Sequence, residues 1–247
     1  MKTNQNKQLK KADYGQDMPG IIVAVSILAL VLLALAFWQY RQNAVNQSSQ
    51  CSITSMILAS IAVIFIFIAF IGIWSSRFGK LILRDKVLSK LAINGSESIL
   101  DIGCGRGLLL IELAKKIPQG KATGVDLWLG NLEYKNSPQM VLDNASVEGV
   151  SNRIEVITAD ALALPFNNNS FDMVTTSLMM HHLTDIYKAL NEMVRVLKPG
   201  GTLVIADVNS KRYVPILKSL GFMQIEIHYA TRLFLVPAYI VICLKSK

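Results

Sequence analysis

The sequence has little charge and few cysteines. Charged residues occupy only 17% of its 247 positions and hydrophobic residues occupy 52%, whereas about a quarter of an ordinary soluble domain is charged. The cysteines, Cys51, Cys104 and Cys243, form no C-x-x-C pair, and no His/Cys ligand spacing occurs. Neither a disulfide framework nor a metal site is therefore indicated, and the low charge predicts that part of the chain lies in lipid.

A binding face for nucleic acid is also missing. Lysines and arginines outnumber acidic residues by 25 to 17, for a net charge of +8, a balance that is compatible with a nucleic-acid partner. However, the basic residues form no face interleaved with aromatic side chains, and many of them flank apolar stretches. We therefore expect no nucleic acid among the partners.

Two long uncharged runs lie near the start of the chain. Residues 18–40 and 42–76 contain no charged side chain, and the apolar part of the second run extends from Ile53 to Trp74. Each apolar run is long enough to cross a hydrocarbon core of about 30 Å. We therefore predict a basic tail, a first transmembrane helix, a short external loop and a second transmembrane helix, at residues 1–17, 18–40, 41–52 and 53–74.

A cleaved signal peptide and a pair of buried helices in a soluble protein are the competing interpretations of these runs. The first run is too long for a signal peptide, and no small-residue cleavage site follows it. Basic residues are concentrated in the N-terminal tail and in residues 77–86, whereas the predicted loop has only Arg41 at its edge. The positive-inside rule then predicts a multi-pass membrane protein with both termini and the remaining domain in the cytoplasm. The lipid bilayer is thus an expected partner.

Residues 75–96 are predicted to form a linker with an amphipathic helix. Their apolar residues recur at roughly helical spacing, with basic residues between them. Such a helix either lies along an anionic membrane surface or packs on the domain that follows.

From residue 97 to residue 247, short apolar runs alternate with helical patterns. This alternation predicts an α/β domain with a mostly parallel sheet covered on both faces. The last two strands, MQIEIHY and YIVICL, have no helix between them, so we expect them to form an antiparallel hairpin at one end of the sheet.

Polar residues and glycines follow several of the predicted strands, where open α/β sheets bind ligands. The stretch ILDIGCGRG, residues 99–107, has glycines at every second position, and Asp126 ends a strand 19 residues after Gly107. A dinucleotide fingerprint requires a glycine where Leu108 stands, and the G-K-[ST] of a Walker loop is missing. A carboxylate such as Asp126 can accept hydrogen bonds from two ribose hydroxyls. The expected ligand therefore has a ribose but no phosphates.

Five segments follow one another in an order and spacing that match a known family: ILDIGCGRG, GVD, TADALALPF, FDMVTTSLMMHHL and LKPGGTLVIAD. On these segments the sequence resembles the class I S-adenosylmethionine-dependent methyltransferases, and within them the ubiquinone- and menaquinone-type group. The resemblance covers nearly all of residues 97–207 and implies a Rossmann-like sheet with S-adenosylmethionine as cofactor. It implies this cofactor-binding set: Asp101, Gly103, Cys104, Gly105, Asp126, Leu127, Asp160, Ala161 and Ser177.

The resemblance also implies a role for each part of that set. Residues 101–105 hold the methionine part against bare backbone, Asp126 binds the ribose, and Leu127 lies beside the adenine. Asp160 and Ala161 contact the adenine edge, and Ser177 lies near the methyl donor. The segment from 128 to 139 is longer than a usual connection, which suggests either a lid or a solvated loop. Its Trp128 either stacks on adenine or packs beneath the loop.

Methyl transfer needs a general base only if the acceptor must lose a proton. His181 is the first candidate for that base or for positioning the acceptor, followed by His182; the competing interpretation is packing at the sheet edge. Because the spans hold the domain at the bilayer, the expected acceptor is small or lipid-soluble. The alternatives are a small apolar thiol or metalloid acceptor, and a non-catalytic membrane-tethered module that binds the cofactor.

Overall fold

A computed structural model describes residues 11–15, 19–46, 49–128 and 136–246. Most of the predicted basic tail at residues 1–17 lies outside the described residues, and so do residues 129–135 of the segment predicted as a lid or solvated loop.

Two long helices, α1 (Pro19–Asn46) and α2 (Ser49–Trp74), lie side by side near the N-terminus. Their contact consists of small side chains spaced seven residues apart, Ala29 with Ala36 on α1 and Ala62 with Ala69 on α2, all at most 7% exposed. Small residues let helix backbones approach closely, and a seven-residue repeat keeps one seam facing the partner helix. The two helices therefore form a closely packed hairpin.

The other faces of this hairpin are apolar and exposed. Both helices are long and apolar enough to cross a membrane by length and composition, yet only 17% of the most apolar window of each is buried. A core helix of a soluble protein would bury most of such a window. The exposed side chains include Leu30 and Phe37 on α1 and Phe67 and Phe70 on α2, each at least 60% exposed.

The structure places more residues in helices than the predicted boundaries do. Helix α1 continues to Asn46 and α2 begins at Ser49, so most of the predicted external loop at 41–52 is helical. At its other end α2 continues through one π-helical turn, Ser75–Gly79, into α3 (Lys80–Lys90). The apolar face of α3 packs on the domain, because Leu83 and Val87 are fully buried in its core.

The domain that follows alternates strands and helices. Its elements are β1 (Ser98–Ile102), α4 (Leu108–Lys116), β2 (Lys121–Asp126), α5 (Pro138–Val147), β3 (Ile154–Thr158), β4 (Phe171–Ser177), α6 (Ile186–Val196), β5 (Leu197–Val208), α7 (Val214–Ser219), β6 (Gln224–Leu233) and β7 (Val236–Leu244). The seven strands form one sheet in the order β3-β2-β1-β4-β5-β7-β6. The first five strands are parallel, whereas β7 pairs antiparallel with both β5 and β6. The predicted α/β architecture and its C-terminal antiparallel hairpin are confirmed.

Apolar clusters cover both faces of the sheet. One cluster includes buried residues of α3, α4 and α5, and the other includes buried residues of α6 and α7. Because both faces are covered, the parallel strands are apolar along most of their length rather than alternating. Polar residues can therefore reach solvent mainly at the ends of the strands.

Candidate active site

The polar residues singled out in the sequence lie at one edge of the sheet, where the parallel strands end. Strands β1 and β4 are neighbours in the centre, and the chain order reverses between them because β2 and β3 lie on one side and β5 on the other. In open α/β sheets such a reversal leaves a crevice at the carboxyl ends of the strands. The candidate site is this crevice.

A glycine turn connects β1 to α4. Gly103, Gly105 and Gly107 all have positive φ angles, 70°, 54° and 84°, a region that L side chains rarely adopt. The N–H groups of Gly103 and Cys104 donate to the carbonyl oxygen of Val125 at 2.8 and 3.1 Å. The turn is therefore fixed against the end of β2, and the first N–H groups of α4 point towards the crevice.

Gly103 and Gly105 have different surroundings. A Cβ atom on Gly103 would lie 2.3 Å from Cγ of Met179, whereas one on Gly105 would find only Nδ2 of Asn136, at 3.9 Å. The space beside Gly103 is therefore filled by a side chain of the β4–α6 connection, whereas no described residue fills the space beside Gly105. Among the described residues, the backbone of Gly105 is thus the more open of the two to close approach by a ligand.

The carboxyl group of Asp101 lies beneath this turn. It is 2% exposed, and Oγ1 of Thr175 donates a hydrogen bond of 2.7 Å to its Oδ1. Burial raises the pKa of Asp101 to about 7, with a further contribution from the charge of Asp126, while the hydrogen bond from Thr175 opposes the shift. Asp101 is thus a buried acid that changes its protonation state near neutral pH.

The side chain of Cys104 points away from the crevice. It is 7% exposed, and its Sγ packs so closely on β2 that a Cβ atom on Gly124 would lie 2.9 Å from it. Burial raises the pKa of the thiol well above its usual value. Cys104 can therefore contribute only its backbone to a ligand site.

Asp126, at the end of β2, organises the neighbouring loops. Its Oδ2 accepts from the N–H of Gly105 at 3.0 Å, and its Oδ1 accepts from the N–H of Trp128 at 2.9 Å. A carboxylate can accept about four hydrogen bonds, so each oxygen retains acceptor capacity on this half-buried side chain. Two adjacent hydroxyl groups are a fitting partner for that arrangement.

The remaining residues of the cofactor-binding set surround the same crevice. Leu127 follows Asp126 and is 38% exposed. Asp160 lies after β3, where its Oδ1 accepts from the N–H of Leu162 at 2.9 Å; the neighbouring Ala161 is buried. Ser177 ends β4 and is half-buried.

The side chain of Trp128 is hydrogen-bonded to the end of β3. Its indole Nε1 donates to Oγ1 of Thr158 at 3.0 Å, and its ring packs against the buried cluster on the face of α4. This favours the packing interpretation of Trp128 over adenine stacking.

His181 forms a pair with Asp207, which the sequence interpretation missed. Nδ1 of His181 lies 2.7 Å from Oδ1 of Asp207, and the N–H of His181 donates to Oδ2 of the same carboxylate at 3.0 Å. The His181 side chain is 29% exposed and that of Asp207 only 1%. The carboxylate thus holds the proton on Nδ1 and leaves Nε2 as the basic nitrogen.

The neighbouring His182 stacks on this pair. The ring centroids of His181 and His182 lie 4.0 Å apart, and burial lowers the pKa of His182, with a smaller contribution from His181. His182 is therefore more strongly held in its neutral form than an ordinary surface histidine.

A segment that precedes the apolar helices lies against the glycine turn. Asp13 pairs with Arg106, with Nη1 and Oδ2 at 2.7 Å. Asn144 on α5 accepts from the N–H of Asp13 at 2.9 Å, and its Nδ2 donates to the carbonyl oxygens of Asp13 and Arg106 at 2.9 and 3.0 Å. Nζ of Lys80 donates to the carbonyl oxygen of Gly15 at 2.7 Å. We call residues 13–15 the N-terminal strap.

The chain is similar in sequence to known methyltransferases. Residues 100–205 match a family model described as a methyltransferase domain. The demethylmenaquinone methyltransferase of Staphylococcus aureus strain JH9 is 30% identical over 165 residues, which are 66% of this chain. The chain spans 61% of the length of that relative.

Solved structures show the same fold. An S-adenosylmethionine-dependent methyltransferase from Aquifex aeolicus is similar with a TM-score of 0.55 and 20% identity, over 68% of this chain and 93% of that one. A Methanococcus maripaludis protein, inferred to be an S-adenosylmethionine-dependent methyltransferase, gives a TM-score of 0.56 at 19% identity, over 72% of this chain and 91% of that one.

Proposed function

The domain after the two apolar helices belongs to the class I S-adenosylmethionine-dependent methyltransferases, and on that premise we propose that the chain methylates a quinone-like acceptor dissolved in the bilayer. The single observation that carries this proposal is that the glycine turn, Asp126 and the His181–Asp207 pair all lie at the carboxyl edge of the sheet. This edge lies beside the end of the helical hairpin where α1 begins and α2 ends.

The residues present fit the cofactor. S-adenosylmethionine supplies a methyl group already activated on a positively charged sulfur, so the protein mainly has to position donor and acceptor. The open backbone at Gly105 would accommodate the methionine part, and the buried acid Asp101 would balance its positive charge. A phosphate-binding turn would not place a carboxyl group there.

The nucleoside part fits the ends of β2 and β3. Asp126 would accept the two ribose hydroxyls with the lone pairs that its two backbone hydrogen bonds leave unused. Leu127, which is exposed and apolar, would contact the adenine, as would Asp160 and Ala161. Ser177, at the end of β4, would contribute to the methyl-donor side of the site.

His181 is the proposed general base. With S-adenosylmethionine bound, the acceptor atom would form its bond to the methyl carbon as the carbon–sulfur bond breaks, and Nε2 of His181 would take the proton that the acceptor atom loses. Asp207 holds the imidazole in the required orientation and tautomer through the 2.7 Å contact with Nδ1. General-base catalysis of this kind contributes on the order of 10²–10⁴-fold to a rate.

The position of the apolar helices supports a lipid-soluble acceptor. Gly15 of the N-terminal strap contacts the side chain of Arg106 in the glycine turn, and Pro19, where α1 begins, is only four residues after Gly15. Four residues span at most about 14 Å, so the crevice lies close to the start of α1. The curated relative is named a demethylmenaquinone methyltransferase, which supports a quinone-like acceptor.

The test uses the full chain in lipid nanodiscs with methyl-labelled S-adenosylmethionine and a native membrane extract, followed by separation of lipid, small-molecule and protein pools. We expect label in the lipid pool. Label in the small-molecule pool would instead identify a thiol- or metalloid-type acceptor, and label in protein alone would contradict the proposal.

Three variants separate binding from transfer. His181→Gln and Asp207→Asn should bind S-adenosylmethionine like the parent chain in calorimetry but transfer label on the order of 10²-fold more slowly or worse. Asp126→Ala should lose binding itself without unfolding. A parent chain that binds the cofactor but labels no pool would be the non-catalytic module.

A further inference from the structure

The turn between β6 and β7 has an unusual composition. Leu233 pairs with Val236, so only Phe234 and Leu235 form the loop, and both have positive φ angles, 47° and 67°. Two-residue hairpin loops with positive φ at both positions strongly prefer Asn-Gly or a similar pair. Bulky apolar residues are unfavourable in this conformation. Closing the hairpin therefore does not explain why Phe and Leu occupy these two positions.

The apolar side chains of this turn are also exposed. Phe234 is 38% exposed, Leu235 62% and Val236 43%. An exposed apolar cluster on a strained turn is unfavourable in water for two separate reasons. An apolar environment around the turn removes the cost of exposing these side chains, and this gain offsets the backbone strain.

The turn packs on the end of α2 that emerges from the apolar run. The N–H of Phe234 donates to Oγ of Ser75 at 3.2 Å. A Cβ atom on Gly72 would lie 3.1 Å from Ile22 of α1 and 3.6 Å from Cε1 of Phe234. The turn is therefore level with the last apolar turn of α2 and the first turn of α1, where both helices leave the proposed bilayer core.

Basic side chains surround the turn. Arg77, in the π-helical segment, and Arg232, two residues before Phe234, are both exposed. Arg77 also borders a groove between the helices that is otherwise lined by Ile22, Val23, Ser26, Ile27, Leu30 and Ile73. The apolar side chains of the turn can contact lipid acyl chains, and the neighbouring arginines can pair with anionic lipid headgroups.

We propose that the turn, residues 233–236, inserts into the lipid interface beside α2 and holds the catalytic edge of the sheet on the bilayer surface. The inference rests on the proposed function, because it requires α1 and α2 to span the membrane. On β7, Tyr239 pairs with Asp207 of β5 and lies four residues after Leu235. Four strand residues span about 14 Å, so an acceptor leaving the bilayer along the turn has a short path to His181.

Fluorescence quenching of variants with a single exposed cysteine tests the insertion. The full chain carries Cys51→Ser, while the buried Cys104 and Cys243 stay in place. Leu235→Cys is labelled with an environment-sensitive fluorophore and reconstituted in nanodiscs of phosphatidylcholine and phosphatidylglycerol, with or without lipids that carry a doxyl quencher near the headgroup. We expect the quencher to remove most of the emission.

Two further positions serve as controls. Phe67→Cys lies on an exposed face of α2, and Met223→Cys lies just before β6, at the opposite end of that strand, where Met223 is 90% exposed. Quenching at positions 67 and 235 but not at 223 supports the proposal. Quenching at position 67 alone would contradict insertion of the turn but remain consistent with a membrane-spanning hairpin. No quenching at position 67 would contradict both the membrane-spanning hairpin and the insertion of the turn.

A second variant separates a lipid role from a folding role. Leu235→Gly relieves the positive φ and removes only an exposed side chain, so the melting temperature in detergent should stay the same or rise. Transfer to the membrane acceptor should fall while S-adenosylmethionine binding in calorimetry stays unchanged. A lower melting temperature with unchanged transfer would show that Leu235 serves the fold alone.

Discussion

The buried carboxyl of Asp101 gives the cofactor site a pH dependence that can be measured. Burial raises its pKa to about 7, so below that pH the group is mostly protonated and neutral. A positively charged ligand favours the ionised form of the Asp101 carboxyl. Binding of the ligand below pH 7 must therefore release the proton of Asp101. We therefore expect the Kd for S-adenosylmethionine to fall by up to about tenfold per pH unit as the pH rises towards 7, and then to level off.

Calorimetric titrations across this pH range, in two buffers of different ionisation enthalpy, measure both the affinity and the released proton. Asp101→Asn keeps the shape and the hydrogen bond to Thr175 but cannot ionise, so its weaker binding should not vary with pH. A parent chain whose affinity is constant from acidic to neutral pH would contradict the assignment of Asp101 to the cation.

The same group affects the stability of the cofactor-free protein. The folded chain holds the proton of Asp101 up to about pH 7, whereas an unfolded aspartate loses it near pH 4. The folded state therefore binds more protons over that interval, and the contribution of Asp101 to the free energy of unfolding decreases as the pH rises through it. Asp101→Asn should remove this decrease.

The residues of the site were predictable only in part. Asp101 and Asp126 lie at the carboxyl ends of β1 and β2, and Gly105 and His181 follow β1 and β4. Parallel strands end at one edge, so the sequence indicates that these residues converge. The partner of His181 was missed, although Asp207 also ends a buried run, because no local pattern pairs residues from two different strand ends. The direction of Cys104 was not predictable either, since it depends on the close packing against Gly124.

At the level of elements, Asn144 connects the N-terminal strap to the glycine turn. It is 6% exposed, and its side chain forms hydrogen bonds with three backbone groups of Asp13 and Arg106. Asn144→Ala leaves these groups without their partner, and an unpaired buried group costs about 1–3 kcal/mol. We expect the free energy of unfolding to fall by about 2 kcal/mol and the amide hydrogen of Asp13 to exchange faster.

Denaturant titration in detergent and hydrogen exchange of the strap measure these two effects. Asn152→Ala is a matched control, because Asn152 is exposed and its replacement should change neither quantity. If Asn144→Ala exchanged at Asp13 as slowly as the parent chain, the strap would be held by other contacts.

Two element boundaries depended on packing rather than on local sequence. The segment LKPGG, residues 197–201, follows directly after α6 and belongs to β5, with a register shift against β4 and a positive φ at Gly200. Residues 75–96 allowed either a surface helix or a packed one; burial of Leu83 and Val87 in the domain core decides for packing. In both segments, tertiary contacts determine the structure, and the local sequence pattern alone does not.

For the whole molecule, the N-terminal strap constrains how the chain is arranged about a membrane. Asp13 and Gly15 precede α1, whereas Arg106 and Asn144 follow α2, and these residues are in contact. A contact between segments on either side of a helical hairpin requires both segments to be on the same side of the bilayer. The strap therefore supports an even number of crossings, independently of the distribution of basic residues.

Cysteine labelling tests this arrangement with a residue that the chain already has. Cys51 lies in the first turn of α2, next to the connection between the two helices, and Cys104 and Cys243 are buried. A membrane-impermeant maleimide should label Cys51 only from the face opposite the domain in oriented vesicles. In a Cys51→Ser background, Met223→Cys on the exposed domain surface should be labelled only from the other face. If both positions reacted from the same face, the hairpin would not cross the bilayer, and a lipid-soluble acceptor would have to reach the crevice from water.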